Sequence, residues 1–267
     1  KQDSKDLLTD KFDNTLNPRA FFFVADSSKD IEKQLLYNSN LLEKDVYIQL
    51  WIDQLEDKNK YNPNFNSNKF NIISLQFALH YFFESKQKIE QLIENIDKNL
   101  ANRGIFIGGC FDGNRITNEF DKTEKSFLEG VVDNNIIWKI NKKYNDEYMG
   151  IEQFGNEIGV YMYSINAEHN EYLVNFDLLT KMLSIKNIVP LEEKDIRDTV
   201  LNGYYNLENG TIPFENIYKI LNSNIRTDSN YLSKSTVNYF KNIVNKMTES
   251  EKQISFFNNA FIYKKNN

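Results

Sequence analysis

The sequence predicts an α/β fold in which a doubly wound, largely parallel sheet carries helices on both faces. Two observations predict it. Short aromatic and β-branched runs alternate with amphipathic runs through the first half of the chain, and three of the short runs end in a polar side chain, at Asp26, Asp53 and Gln76. Because such sheets bind ligands at the carboxyl ends of their strands, we expect a site at the edge that these side chains share.

Each element of the first half is predicted from its own pattern. Short apolar runs bounded by polar residues predict strands over 19–26, 45–53, 70–77 and 104–111. Apolar residues that recur every three or four positions predict helices over 4–12, 27–42 and 86–100. The Asn-rich segment 57–69 is typical of a loop. Gly104 is predicted to end the third helix in the left-handed conformation, and a turn is predicted over Gly108–Gly113.

The second half has a different pattern. Partial alternation of apolar and polar residues over 134–144 and 148–176 predicts antiparallel strands added onto the sheet, with turns at Gly155 and Gly159. The remaining predictions are a helix over 177–191 that stops near Pro190, an irregular segment over 192–234, helical structure over 235–257 and a last strand over 258–265. No repeat or second boundary is visible, so we expect one domain over 1–267, the C-terminal part of a longer polypeptide.

Composition excludes several classes of function. A net charge of -6 provides no basic field for non-specific phosphate binding, so a nucleic-acid ligand would be recognised by a small feature. The one cysteine, Cys110, excludes an internal disulfide and a cysteine-cluster metal site, and it fits a reducing compartment. No apolar run reaches the length of about 18 residues that a membrane span needs, so no membrane partner is expected.

The acids at the strand ends have two interpretations. A carboxylate in this place accepts hydrogen bonds from both hydroxyls of a ribose, or it caps the helix that follows. Both roles stay open for Asp26. Asp53 is the weaker candidate, because strands commonly end in a polar residue before a loop.

The segment "QFALHYFF" is a candidate binding site. Phe77, His80 and Tyr81 cannot all face a core without leaving polar atoms unpaired, at a cost of about 1 to 3 kcal/mol. A single histidine beside aromatic residues is nevertheless more often a packing residue. Glu171 precedes an apolar run, and its carboxylate either accepts two donors from the edge of a guanine or lies on the surface at a strand start.

Patterns for nucleophilic or metal chemistry are missing from the sequence. It contains no GxSxG motif, and His80 and His169 are the only histidines. Cys110 has no evident partner, and the carboxylates do not show metal-ligand spacing. The complete Gly-rich fingerprint of a nucleotide-binding fold is also absent. We therefore predict no catalytic dyad and no metal.

Several segments resemble one family. "FNIISLQFALHYFFES", followed by "IEQLIENIDKNLANRGIFIGG", resembles the signature of the mRNA cap guanine-N7 methyltransferases, in which a strand leads into Gln-Phe-x-x-His-Tyr, a helix, a Gly-containing turn and a further strand. "EYLVNFDLL" and "TESEKQISFFNNAFIYKK" resemble the Glu-Tyr-Leu-Val segment and the C-terminal strand of that family. With gaps between these blocks, the resemblance extends over residues 4–265.

The resemblance implies a class I S-adenosylmethionine-dependent methyltransferase with a Rossmann-like sheet, which methylates N7 of the GpppN cap. By position, the cofactor contacts are Asp6, Asp26, Asp53 and Gln76. The contacts to the cap guanine are Phe77, His80, Tyr81 and Glu171. The last strand has an amide at Asn258, where the family has an aromatic residue. Because N7 of guanine carries no proton, positioning is the expected contribution of the enzyme, and no general base is expected.

Two alternatives to a cap guanine-N7 methyltransferase remain open. One is a methyltransferase-like binding or stimulatory subunit without a Gly-rich cofactor loop, and the other is a class I methyltransferase with another substrate. The expected partners of the capping enzyme are the 5′ cap of RNA, further capping-enzyme domains and a stimulatory subunit. The high Asn, Lys and Ile content indicates an AT-rich genome. For a capping enzyme encoded by a virus or a similar element, the expected location is intracellular, in the cytoplasm or, if viral, in a virion.

Overall fold

The computed structural model describes residues 25–31, 33–34, 69–145, 154–192, 207–222 and 234–267. The chain divides into two compact units, Lys1–Asn68 and Lys69–Asn267. In the first unit, a turn after Asp26 precedes a helix that begins at Ile31. Asp6, Asp53 and the strand predicted over 45–53 lie outside the described residues. The prediction of a single domain stays a prediction.

The described part of the second unit contains nine strands and six α-helices. The strands are β1 (Phe70–Gln76), β2 (Leu100–Phe111), β3 (Phe127–Val132), β4 (Asn135–Lys142), β5 (Glu157–Met162), β6 (Ala167–Tyr172), β7 (Ile188–Pro190), β8 (Thr211–Pro213) and β9 (Asn258–Lys265). The helices are α1 (Lys86–Asn99), α2 (Gly113–Thr123), α3 (Phe176–Ser184), α4 (Phe214–Asn222), α5 (Lys234–Val244) and α6 (Glu249–Phe256). A 3₁₀ helix, Leu79–Glu84, joins β1 to α1.

Five strands form the first sheet, in which β1 and β2 are parallel, as predicted. β9 lies antiparallel beside β2, and β7 and β8 both pair antiparallel with β9. The parallel register places Gln76, the last residue of β1, opposite Gly109. The carboxyl end of β1 therefore lies beside the glycine pair of β2.

Helices cover both faces of this sheet, which confirms the predicted α/β class. On one face, α1 and α3 pack on the strands around a shared core that includes Ile89, Leu92, Ile96, Phe106, Leu179, Leu183, Phe261 and Tyr263. On the other face, Phe214 of α4 comes so close to Gly109 that a Cβ at this glycine would lie 3.3 Å from the ring. Successive residues of a strand point to opposite faces, so Cys110 belongs to the α1 side.

The predicted role of Gly104 as a helix cap is wrong. Helix α1 ends at Asn99, Leu100 already has extended backbone, and Arg103 is the residue with a left-handed φ of 63°. Gly104 lies inside β2, where a Cβ would be 2.7 Å from the carbonyl oxygen of Ala101. Glycine is required there by close approach of the backbone, a condition that the sequence pattern does not distinguish from a cap.

The strands β3 to β6 form a sheet of their own, in the order β3, β4, β5, β6, so their predicted addition to the first sheet is wrong. This sheet has a separate core around Trp138, which includes Ile116, Phe120, Ile140, Ile158 and Phe257. The described antiparallel strands of the second half that do join the first sheet are β7, β8 and β9. Gly155 has a positive φ of 76°, which fits its predicted turn. Gly159 instead lies within β5, where a Cβ would be 2.3 Å from the Glu168 carboxylate.

Three further segments differ from their predictions. The predicted turn over 108–113 is the end of β2 followed by α2, which begins at Gly113. The helix predicted over 177–191 ends at Ser184, and Pro190 belongs to β7. The segment predicted to be irregular contains β8 and α4. The C-terminal segment is helical, as predicted, and consists of α5 and α6, the latter begun by a capping box at Thr248.

Candidate active site

The site begins where β1 turns into the 3₁₀ helix. Phe77 has a left-handed φ of 50°, a conformation that costs a bulky residue free energy, and its N–H donates to the Gly109 carbonyl over 2.7 Å. The turn directs the Phe77 ring away from the core, so that 56% of the residue is exposed. Such strain at a strand end is typical of binding sites.

The 3₁₀ helix divides the aromatic segment between the core and the site. Leu79, Phe82 and Phe83 are buried in the core of the first sheet. His80 is also buried, whereas Tyr81 is 48% exposed and places its ring centroid 4.1 Å from that of His80. A polar ring is thus buried beneath an exposed aromatic side chain.

Strand β6 brings Glu171 to His80. Glu171 pairs with Ile158 near the end of this strand, and its Oε2 lies 3.5 Å from Nδ1 of His80. Both side chains are largely buried, at 5% exposure for His80 and 14% for Glu171. Among the described residues, neither Oε2 of Glu171 nor Nε2 of His80 has a hydrogen-bond partner. Buried polar atoms are nearly always paired in native proteins, so this arrangement fits a polar ligand.

Burial determines the charge of these two groups. It lowers the pKa of His80 to about 4, so the imidazole is neutral at pH 7. It raises the pKa of Glu171 to about 7, so this carboxyl is near its midpoint at neutral pH. Burial and the Glu171 charge together raise the pKa of Tyr81. A ligand that donates to Glu171 would favour its ionised form.

Phe214 is a site residue that was missed in the sequence. Its ring packs edge to face against Phe77, with centroids 6.3 Å apart. Phe214 follows Pro213 and begins an amphipathic pattern with Ile217, Tyr218 and Leu221. This spacing is a signal for a helix start that was available in the sequence.

Asp112 and Asn259 form a second buried polar pair that was not predicted. Asp112 is the N-cap of α2, with Oδ1 accepting from the Asn114 N–H over 2.9 Å. Its Oδ2 accepts from Nδ2 of Asn259 over 2.7 Å. Oδ1 of Asn259 has no hydrogen-bond partner within the described part of the chain. The neighbouring Asn258 is used differently, because its Nδ2 donates to the Ile254 and Ser255 carbonyls at the end of α6.

Cys110 is unsuited to nucleophilic catalysis. It is fully buried, and burial, Asp112 and Glu171 all raise the pKa of its thiol well above the ordinary range. The reactive form of a cysteine is the thiolate, so this thiol is inert at neutral pH.

The predicted cofactor residues are less fully described. Asp26 Oδ1 accepts from the backbone N–H and the hydroxyl of Ser28, and these bonds are the main reason that the pKa of Asp26 is lowered. The helix that follows is capped by Asp30, whose Oδ1 accepts from the Lys33 N–H, so Asp26 is not its cap. Gln76 is exposed at the end of β1 and donates from Nε2 to Ser74 over 2.9 Å. The binding roles of all the predicted residues stay predictions.

The described residues contain neither a candidate metal site nor a membrane-spanning helix. These residues contain no group of three or more His, Cys, Asp or Glu side chains that is able to hold a metal ion. None of the helices described here is both long enough and apolar enough to cross a membrane.

A parallel strand pair that ends in a polar turn, an antiparallel C-terminal strand beside it and helices on both faces agree with the expected class I methyltransferase fold. The family model of the mRNA (guanine-N(7))-methyltransferase domain matches residues 19–265, and the chain belongs to this family.

Two relatives illustrate the similarity. A probable mRNA-capping enzyme of Acanthamoeba polyphaga mimivirus is 30% identical over 157 residues, which are 56% of this chain and 13% of the relative. The mRNA cap guanine-N(7) methyltransferase of Schizosaccharomyces pombe is 26% identical over 140 residues, 52% of this chain and 38% of the relative. The matches therefore span well under half of either relative.

Among solved structures, an S-adenosylmethionine-dependent methyltransferase from Clostridium acetobutylicum has a TM-score of 0.37 and 11% identity. The alignment covers 83% of this chain and 70% of that one. This likeness is too distant to bear on function.

Proposed function

We propose that this chain transfers the methyl group of S-adenosylmethionine to N7 of the guanine in an RNA cap. The observation that carries the proposal is the buried contact between His80 and Glu171, where two polar atoms have no partner in the described residues, beside the exposed ring of Tyr81. Membership of the guanine-N7 methyltransferase family and the names of the relatives support it.

The Glu171 carboxylate has the chemistry needed to select guanine. The Watson–Crick edge of guanine carries two adjacent donors, N1–H and the 2-amino group, and one carboxylate accepts from both. Adenine offers no N1–H and would leave the buried oxygens unpaired, which is the basis of strong discrimination. The exposed rings of Phe77 and Tyr81 supply aromatic surfaces on which a base stacks.

The reaction needs alignment and no proton transfer from N7. S-adenosylmethionine, when bound, would supply an electrophilic methyl group, whose bond to sulfur would break as the bond to N7 forms, with the neutral thioether as leaving group. The contribution of the chain would be to fix the guanine in line with this methyl group. Neutral His80 faces Glu171 through Nδ1, so an N–H at this atom would orient the carboxylate. Cys110, with its raised pKa, remains protonated and takes no part.

The described cofactor candidates fit their proposed ligand. Ser28 holds Asp26 as an ionised, half-exposed carboxylate, which is the acceptor that a ribose diol requires. Gln76 offers an exposed amide at the carboxyl end of β1. We propose that these two residues, with Asp6 and Asp53, hold S-adenosylmethionine.

Partners and location are proposals of the same kind. The substrate partner is the 5′ cap of RNA, and further capping-enzyme domains or a stimulatory subunit are candidate protein partners. The mimivirus relative supports a viral origin, with action in the cytoplasm or in a virion.

Methyl transfer to defined caps tests the proposal. The protein should transfer a labelled methyl group to GpppA, and the product should comigrate with the N7-methylated cap. A GpppA analogue with carbon in place of N7 is the matched substrate, and it should bind without accepting methyl. Methylation of this analogue would place the reaction elsewhere, and binding of both caps without any transfer would favour a non-catalytic subunit.

A further inference from the structure

We propose that Asn259 is a specificity-determining residue, whose Oδ1 accepts a hydrogen bond from the 2-amino group of the cap guanine beside Glu171. The proposal rests on the proposed function, in which Glu171 accepts one hydrogen of the 2-amino group. Asn259 would accept the other hydrogen of the same group.

The fold places Asn259 at the edge of the sheet where Phe77 leaves β1. Asn259 lies directly opposite Cys110 in the antiparallel pairing of β2 and β9. Paired residues share a face of the sheet, so both side chains project toward α1 and α3. At the same edge, the N–H of Phe77 donates to the carbonyl of Gly109, the residue before Cys110. Asn259 therefore lies near the strand end from which the segment that carries His80 begins, and the charge of Glu171 contributes to the raised pKa of the Cys110 thiol.

The orientation of the Asn259 amide is fixed by Asp112. A carboxylate is only an acceptor, so Nδ2 of Asn259 must face Asp112, which it does over 2.7 Å. Asp112 is itself fixed as the N-cap of α2, and Arg115 lies 3.9 Å from its Oδ2. Oδ1 of Asn259 therefore points away from this anchor.

That oxygen is buried and available. Asn259 is 4% exposed, and its Oδ1 has no hydrogen-bond partner within the described ranges. The adjacent Asn258 is 7% exposed, and its Nδ2 holds the end of α6. Of these two asparagines, only Asn259 has an acceptor oxygen that is fully buried without a hydrogen-bond partner in the described residues.

Guanine chemistry supplies the matching donor. When a carboxylate accepts from N1–H and one hydrogen of the 2-amino group, the other hydrogen remains and requires an acceptor. Hypoxanthine lacks this amino group and offers Glu171 the N1–H alone. A pair of acceptors at Glu171 and Asn259 would therefore distinguish guanine from hypoxanthine more strongly than Glu171 would by itself.

Calorimetric titration with GpppA and with IpppA, its inosine analogue, tests the proposal. Wild type should prefer GpppA. Asn259→Leu should lower the affinity for GpppA by about fivefold to tenfold, the effect of one net hydrogen bond, and leave that for IpppA unchanged. Asn258→Leu is the matched control and should keep the wild-type ratio of the affinities for GpppA and IpppA. If this ratio is unchanged in both Asn259→Leu and the smaller variant Asn259→Ala, Asn259 serves only to hold Asp112 and the proposal is wrong.

A second arm uses wild type alone and does not depend on how the variants fold. A cap with one methyl group on the 2-amino nitrogen retains one N–H, so it satisfies either Glu171 or Asn259 but not both. Its affinity should fall about fivefold or more relative to GpppA. Equal affinity would overturn the proposal while leaving the proposed function intact. Failure of wild type to bind any cap would instead contradict the proposed function.

Discussion

Nδ1 of His80 lies 3.5 Å from Oε2 of Glu171, and both side chains are buried although no hydrogen bond joins these atoms. One residue comes from the 3₁₀ helix after β1 and the other from β6 of the second sheet. The two sheets therefore meet at a polar site, and its charge state governs the first two predictions.

Cap affinity should depend on pH through Glu171. Burial raises the pKa of this carboxyl to about 7, and the proposed pairing with guanine requires its ionised form. Below pH 7, binding must release a proton, so the affinity for GpppA should fall by about tenfold per pH unit. Above pH 8 it should be constant until guanine N1 itself ionises. Calorimetry between pH 5.5 and 8.5 measures this, and a flat profile across pH 7 would contradict the assignment.

Glu171→Gln should stabilise the protein at alkaline pH. A raised carboxyl pKa stabilises the fold below the ordinary value of 4.5, and this contribution is lost as the pH rises to about 7. At pH 8 the variant should therefore exceed wild type by up to about 3 kcal/mol in the free energy of unfolding.

Glu168→Gln is the matched control, on the same strand. Hydrogen bonds from Lys143 and Asn141 lower the pKa of Glu168, so its replacement should bring no such gain. Urea unfolding at pH 5 and pH 8 measures both variants. A Glu171→Gln variant less stable than wild type at pH 8 would show that the carboxylate is satisfied within the protein.

Phe77→Gly should lower the affinity for the cap without making the protein easier to unfold. Phe77 has a φ of 50°, which glycine adopts without cost, so the variant should unfold no more easily than wild type. Loss of a stacking ring should lower cap affinity by roughly five- to a hundredfold. Tyr239→Ala, at an exposed aromatic residue of α5, should leave affinity unchanged. Unchanged cap affinity in the Phe77 variant would remove this ring from the proposed site.

Substitution by alanine should destabilise the protein much more at Gly108 than at the adjacent Gly109. A Cβ at Gly108 would lie 2.0 Å from the Leu75 carbonyl oxygen, which belongs to the backbone of β1 and is unable to move aside. Gly108→Ala should therefore cost about 3 kcal/mol or more. At Gly109 the nearest atom is in the Phe214 ring at 3.3 Å, so Gly109→Ala should cost much less. Equal destabilisation in thermal unfolding would contradict this difference.

Local patterns were sufficient to predict β1, α1, β9 and the second part of β2 from the sequence, since each has a clear apolar periodicity. The first four residues of β2 were missed, because Gly104 was predicted to be a helix cap. The meeting of His80 with Glu171 followed only from the family resemblance, because the two residues are far apart in sequence. Partition into two sheets was missed, since alternation shows that a strand has a buried face but not which sheet it joins. Asn259 was missed because its role depends on Asp112, across the paired strands.

The central claim is that Glu171 accepts hydrogen bonds from the cap guanine, while other residues bind the cofactor. Parallel titrations of wild type and Glu171→Gln with GpppA and with S-adenosylmethionine test it most directly. We predict that cap affinity falls by about a hundredfold, because a neutral amide replaces the charged acceptor of two donors, while cofactor affinity stays at the wild-type value. Unchanged cap affinity, or a loss confined to S-adenosylmethionine, would contradict the claim.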